Sequence, residues 1–354
     1  MKHKALSLAV MAALSFGGYA HAQTTTVQVY GLMDAGVEYV DHADAKGGSL
    51  VRVVSGGKNT SRWGFRGAED LGGGLKAIFG LEGGVLMDTG AADGALFKRQ
   101  AYVGLDGKLG RVVLGRSFTT VYDFVIKFDP MGFAPNYSWA TTASATGPSK
   151  YGMTTAFDNI VKYSGSTGAL SYGASVGLGE QPGSPNDSRK YAAAVSWADK
   201  GFAVMASGEQ VNGNTLPATA DRDRTRVYHL AADYKTDSWR YTLAARMYKL
   251  DPAKANTPDT RADTYWGGIS YYTGPVTLTG AVYHVNVKNV PAGTDADPTM
   301  YVARAMYALS KRTDLYLAGA HATGKHGQLV GISRDDPGFG TSQTGITAGI
   351  QHRF

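Results

Sequence analysis

From Val27 onward, apolar and polar positions alternate along most of the chain, and helical periodicity is nearly absent. In Leu75-Lys76-Ala77-Ile78-Phe79-Gly80-Leu81-Glu82, the residues Leu75, Ala77, Phe79 and Leu81 share one face, while Lys76, Gly80 and Glu82 share the other, with Ile78 as the exception. Trp239-Arg240-Tyr241-Thr242-Leu243-Ala244-Ala245-Arg246-Met247 repeats this, with Arg240 and Arg246 opposite Tyr241, Leu243 and Met247. A period of two predicts strands with one apolar and one polar face. Short turns punctuate them at Glu69-Asp70-Leu71-Gly72-Gly73-Gly74, Asp106-Gly107-Lys108-Leu109-Gly110, Asp199-Lys200-Gly201, Thr236-Asp237-Ser238, Thr273-Gly274-Pro275 and Ser310-Lys311-Arg312-Thr313. Longer polar segments lie between, at 179–188, 212–223, 251–262, 289–299 and 325–342. Short turns at one rim and long loops at the other are the mark of an outer-membrane barrel. About 16 strands between Val27 and Phe354 fit that pattern, since bacterial barrels carry even numbers. The predicted class is therefore all-β, a transmembrane antiparallel β-barrel. A soluble sandwich or propeller would not alternate its loop lengths in this way.

One connection stands apart. Residues 117–158 are long, aromatic and only weakly alternating. Loops well beyond roughly 15 residues are usually functional, and in a wide barrel the simplest use is to fold inward and narrow the lumen. The assigned constriction loop is 119–157.

The N-terminus adds an address. Lys2 and Lys4 precede a short apolar run, and Ala20-His21-Ala22 supplies the small-x-small pattern that a signal peptidase cuts. Residues 1–22 are assigned as a cleaved secretory signal and 23–354 as one barrel domain. The apolar run is shorter than the roughly 20 residues of a spanning helix. Without the signal, 33 basic residues face 29 acidic ones. That excess is too small and too dispersed to argue for nucleic acid. Gly is abundant, at 47 of 354 residues, as tight turns require. Cys is absent, which removes disulfides, thiolate metal sites and a Cys nucleophile. The chain ends Ile346-Thr347-Ala348-Gly349-Ile350-Gln351-His352-Arg353-Phe354, with Ile346, Ala348, Ile350 and Phe354 in apolar phase and Phe354 placed for an aromatic girdle.

Several stretches together resemble the general porins of Gram-negative bacteria, of the Burkholderia/Bordetella/Comamonas type. They are Ser61-Arg62-Trp63-Gly64-Phe65-Arg66-Gly67-Ala68-Glu69-Asp70-Leu71-Gly72-Gly73-Gly74-Leu75-Lys76-Ala77, Arg99-Gln100-Ala101-Tyr102-Val103-Gly104-Leu105, Leu114-Gly115-Arg116 and Tyr122-Asp123. Asp158-Asn159-Ile160-Val161-Lys162-Tyr163, Leu309-Ser310-Lys311-Arg312-Thr313-Asp314-Leu315-Tyr316 and the terminal His352-Arg353-Phe354 follow in order. The resemblance covers essentially the whole mature chain. It implies a homotrimer of 16-stranded barrels in the bacterial outer membrane, among outer-membrane lipid and lipopolysaccharide. Each barrel would have its own water-filled pore, narrowed by the third outer loop. It also implies insertion by the barrel-assembly machinery, with Phe354 as the assembly signal, and passive diffusion of small hydrophilic solutes and ions.

The same resemblance implies a basic wall facing acids on the inward loop, whose transverse field filters solutes. By motif, Arg62 takes the wall position of the second strand and Arg99 that of the fourth, with Lys162 the nearest basic candidate on the sixth. Arg66, Lys76, Lys98 and Arg116 are further lumenal candidates. Strand phase supports Arg62, which alternates against Trp63 and Phe65. Arg99 falls in phase with Ala101 and Val103, so either a bulge re-aims it or it lies beyond the apolar band. On the loop, Tyr122 and Asp123 match the family's loop entry and Asp129 matches a constriction acid. Lys127 lies between the two acids, and Phe133 stands where enterobacterial relatives carry Glu. A loop so short of acids predicts an anion-preferring pore. The alternative is a substrate-specific channel for a small anionic or organic-acid solute.

Other chemistry is set aside. Gly319-Ala320-His321-Ala322-Thr323-Gly324-Lys325-His326 approaches a phosphate-binding loop but lacks its final Ser/Thr and a following helix. His321 with His326, and Asp295 with Asp297, read as solvated loop residues rather than metal ligands. No cofactor, metal or catalytic group is expected, and the protein is read as a channel and not an enzyme.

Overall fold

The computed structural model describes residues 25–142, 150–291 and 293–354. The assigned signal, residues 1–22, lies outside the described residues. Among the described residues, seventeen strand segments form one antiparallel sheet. It runs from β1 (Thr25–Val40), β2 (Leu50–Ser55), β3 (Arg62–Gly72) and β4 (Leu75–Gly84) to β5 (Gln100–Gly107), β6 (Gly110–Phe118), β7 (Ala156–Thr167) and β8 (Leu170–Gly177). It continues as β9 (Lys190–Asp199), β10 (Phe202–Asn212), β11 (Arg224–Lys235), β12 (Trp239–Asp251), β13 (Thr260–Thr273), β14 (Val276–Lys288), β15 (Thr299–Ala308), β16 (Thr313–Thr323) and β17 (Ser342–Arg353). The sheet closes where β1 pairs with β17, from Leu32↔Arg353 to Val40↔Gly345. On its other edge β1 pairs with both β2 and β3. Those two segments are one strand with an interruption, so the barrel has 16 staves, the number predicted.

The interruption, residues 56–61, is a lumenal excursion held by Asp34. The Asp34 carboxylate accepts the Asn59 amide at 2.9 Å, and its backbone exchanges two 2.9 Å hydrogen bonds with the Ser61 hydroxyl. The Gly56 amide donates to Asp34 O at 2.8 Å. This packing sets the approach to Arg62.

The alternation sorts residues as a lipid-embedded barrel demands, apolar outward and polar inward. On β12, Tyr241, Leu243 and Met247 are exposed, while Thr242, Ala244 and Arg246 are buried inside. Trp239 packs on Tyr271 at 4.5 Å near the short turns, as part of an aromatic belt. Closure depends on a small residue opposite the last one. Gly31 and Phe354 exchange backbone hydrogen bonds of 3.2 and 3.1 Å, and a Cβ on Gly31 would collide with the Phe354 ring.

A ring of 16 strands leaves a lumen too wide for side chains alone to fill. The connection from β6 to β7 fills much of it. It opens with a short helix not foreseen from the sequence, α1 (Thr120–Val125), capped by Thr119 Oγ1, which accepts the Tyr122 amide at 3.0 Å. A single 3₁₀ turn, Ile126–Phe128, follows. Val121, Val125, Phe128, Met131, Phe133, Ala134, Tyr137, Trp139 and Ala140 are then buried against the inner wall. The chain rejoins the sheet at Ala156.

Candidate pore constriction

Between this loop and the β2–β6 wall lies a polar cavity of about 740 Å³. Among the described residues, six basic side chains line it, Arg52, Arg62, Lys98, Arg99, Arg116 and Arg334, together with five acids, Glu82, Asp88, Asp93, Asp335 and Asp336. Tyr122, Phe118 and Phe133 form its loop side.

Arg62 reaches the lumen through ordinary strand phase. Its cross-strand partners are Leu32 and Gly84, and its guanidinium donates to Thr60 O at 3.0 Å. Arg99 is one residue ahead of β5, where its amide still bonds Glu82 O at 3.2 Å. The ladder has not begun there, so the side chain escapes the outward phase. Its Nε meets Glu82 Oε1 at 2.7 Å, and its guanidinium lies 5.2 Å from the Phe118 ring. Arg62 Nε approaches the other Glu82 oxygen at 3.8 Å, and Tyr30 donates to that oxygen at 3.0 Å. Two guanidinium groups thus share one carboxylate that is 4 % exposed. Among the described residues, one positive charge of the pair has no counter-charge within ion-pair distance.

Arg116 lies in outward phase opposite Ala101, but the register slips between Gly115 and Ser117. Gly115 has φ +130°, and a Cβ there would collide with Ala101 O. Glycine permits the bulge, and the bulge turns Arg116 inward, where it pairs with Asp158 and donates to Lys98 O. Lys98 pairs with Asp93 at 2.6 Å.

Other expected wall residues lie elsewhere. The Lys162 ammonium contacts Asp123 and donates to Phe118 O at 2.9 Å and Ser117 Oγ at 3.4 Å. It clamps the base of the loop and does not line the cavity. Arg66 is lumenal but sits beyond Tyr30, bonding Gln28 Oε1 at 2.8 and 3.0 Å. Lys76 lies in register opposite Asp106 beside the short turns, and the Asp106 carboxylate pairs with Arg111 at 2.7 Å. Neither lines the cavity.

The loop residues divide in the same way. Tyr122 lines the opening, stacked on Phe118 at 4.4 Å and edge-on to Phe133 at 5.0 Å. Lys127 is exposed with its ammonium 5.2 Å from the Phe124 ring, away from the cavity lining. Asp129 does not reach the pore. It is 2 % exposed, and its carboxylate accepts the Phe133 amide at 2.7 Å, the Met131 amide at 3.2 Å, the Ser138 hydroxyl at 2.6 Å and the Tyr283 hydroxyl. It holds a tight turn in which Phe133 has φ +59°, a conformation costing a bulky residue about 1–2 kcal/mol. A carboxylate placed among loop amides is as well used in fastening a turn as in facing a solute, and spacing alone does not separate the two.

Sequence reasoning passed over Arg52, Arg334, Asp335 and Asp336. Arg52 was legible, because it alternates with the outward Val51 and Val53. It pairs with Glu38 at 2.7 Å and with Asp336. The other three belong to an aperiodic loop that carries no phase.

The model for Gram-negative porins matches residues 7–327. Outer membrane porin protein 32 of Delftia acidovorans is 31% identical, over the full length of both chains. An outer membrane porin protein of Bordetella pertussis is 28% identical, again over both full lengths. Among solved structures, the anion-selective porin from Comamonas acidovorans superposes with a TM-score of 0.80 at 26% identity, over 94% of this chain and 100% of the other. OmpT of Vibrio cholerae in its trimer form shares the fold, with a TM-score of 0.69 at 18% identity over 94% and 100%. A closed 16-stave barrel, a lumen narrowed by its third outer loop and relatives matched end to end agree, and the chain belongs to the Gram-negative porin family of the outer membrane.

Proposed function

We propose that the constriction gives this diffusion channel a mild preference for small anions. The observation that carries this reading is the Arg62–Glu82–Arg99 arrangement, two guanidinium groups against one buried carboxylate. The loop carboxylate of Asp129 is turned away from the opening and Asp123 is paired with Lys162. An uncompensated charge in a narrow, low-dielectric opening raises the local concentration of counter-ions. Six basic groups against five acids along the cavity keep the preference mild. The related Comamonas protein is described as anion-selective, which supports the sign.

The protein acts as a homotrimer, with lipopolysaccharide around its outer rim. Phe354, seated on Gly31 at barrel closure, is the residue by which the assembly machinery recognises the last strand. The zero-current potential across a KCl gradient in a planar bilayer tests the preference. Chloride-selective potentials support it and potassium-selective ones refute it. A saturable block of conductance by one class of organic anion would favour the substrate-specific channel instead.

A further inference from the structure

The connection between β16 and β17, residues 324–341, is the longest after the inward loop. It too enters the barrel mouth. Val330 and Ile332 are buried, and the Ile332 amide donates to Gln343 Oε1 at 2.9 Å. Trp139 Nε1 of the inward loop donates to Gly331 O at 3.2 Å. The Arg334 amide donates to Pro135 O at 2.9 Å. Its guanidinium bonds Phe133 O at 3.3 Å and Thr60 Oγ1 at 2.9 Å. The two loops are therefore fastened by one backbone–backbone bond and by two side-chain donors on backbone carbonyl groups.

Beyond that anchor, Ser333 Oγ accepts the amides of Asp335 and Asp336 at 3.1 and 3.2 Å. This turn delivers both carboxylates to the cavity. Asp336 meets Arg52. Asp335 is the more open, with a side chain 63% exposed and its neighbour Arg334 at 3.1 Å. Among the described residues, the inward loop brings no carboxylate to the cavity lining.

We propose that Asp335 and Asp336, on the last outer loop, form an acidic pole of the pore's transverse field and limit how strongly the basic wall favours anions. The role usually expected of the inward loop is carried here by a loop clipped onto it. This rests on the anion-preference reading for its direction, but the test separates the two. Unit charges about 4 Å apart interact by about 1 kcal/mol in water, a factor of about five in local ion concentration, and salt screens this over about 10 Å at 0.1 M.

The experiment is the zero-current potential in dilute KCl for the wild type, Asp335→Asn, the Asp335→Asn/Asp336→Asn pair, Asp123→Asn on the inward loop, and Asp237→Asn on a short turn. Heat-modifiable mobility confirms the folded oligomer in each. The double variant should raise the chloride-to-potassium permeability ratio about twofold to fivefold. Asp335→Asn, which keeps the Arg52–Asp336 pair, should give part of that rise and decides the matter if the double variant does not assemble. Asp237→Asn should leave the ratio unchanged. An unchanged ratio in both Asp335 variants, or a larger shift from Asp123→Asn, overturns the proposal. A potassium-selective wild type would refute the anion preference, while a chloride-ward shift in the double variant would still support the acidic pole.

Discussion

Arg62 and Arg246 have the same side chain and the same inward strand phase, yet their surroundings differ. Arg62 faces the cavity, with water on one side and half of a shared carboxylate on the other. Arg246 is fully buried under the inward loop, donating to Ala140 O at 2.7 Å, Thr142 O at 3.1 Å and Thr264 Oγ1 at 3.0 Å. Arg304 does similar work, bonding Met131 O at 3.2 Å and Pro130 O at 3.5 Å. Trp266 Nε1 donates to Phe128 O at 2.9 Å. One half of the lumenal wall thus holds the loop by its carbonyl groups. The other half lines the open cavity with charged side chains. An inward arginine is a pore residue only where the loop leaves it uncovered.

The comparison breaks most sharply at Arg246. Truncation in Arg246→Ala leaves loop carbonyls without donors and empties a buried volume. Buried carbonyls deprived of charged donors should cost about 3 kcal/mol, read as a lower unfolding midpoint of the purified oligomer and as noisier single-channel current. Asp129→Asn should have a smaller effect of the same kind, about 1–2 kcal/mol, because the amide keeps one acceptor oxygen but loses the charge that gathers four donors. Arg99→Ala takes one of two cations from the buried Glu82 while Arg62 and Tyr30 remain on it, and should cost about 1–2 kcal/mol yet lower the chloride preference roughly twofold, read from the zero-current potential. Lys76→Ala, beside the short turns, should change neither.

Pattern made one level of this plain and hid another. Alternation counts the staves, because a barrel with lipid outside and water inside repeats every two residues. It also places Arg62 and Arg52 inward. It fails at Arg99 and Arg116, which enter the pore from irregular backbone, ahead of the β5 ladder and at the Gly115 bulge. Lys162, Lys127 and Asp129 show the complementary failure. Each carries a charge in a plausible place, and each is positioned by how the loop packs. That packing depends on contacts with strands more than 100 residues away in the cases of Arg240, Trp266 and Tyr283. The last loop was unreadable for the same reason, since nothing periodic in residues 324–341 says that Arg334 will bond the backbone of the inward loop.

The most direct test pairs the zero-current potential of the wild type with that of Arg62→Ala/Arg99→Ala, in the same KCl gradient and with folded oligomer confirmed. Removing both guanidinium groups leaves Glu82 without its ion-pair partners and takes the cavity lining from six basic groups against five acids to four against five. Chloride preference in the wild type that falls to zero or reverses in the double variant is the predicted result. An unchanged potential would contradict it, and would move the selectivity away from the uncovered half of the wall.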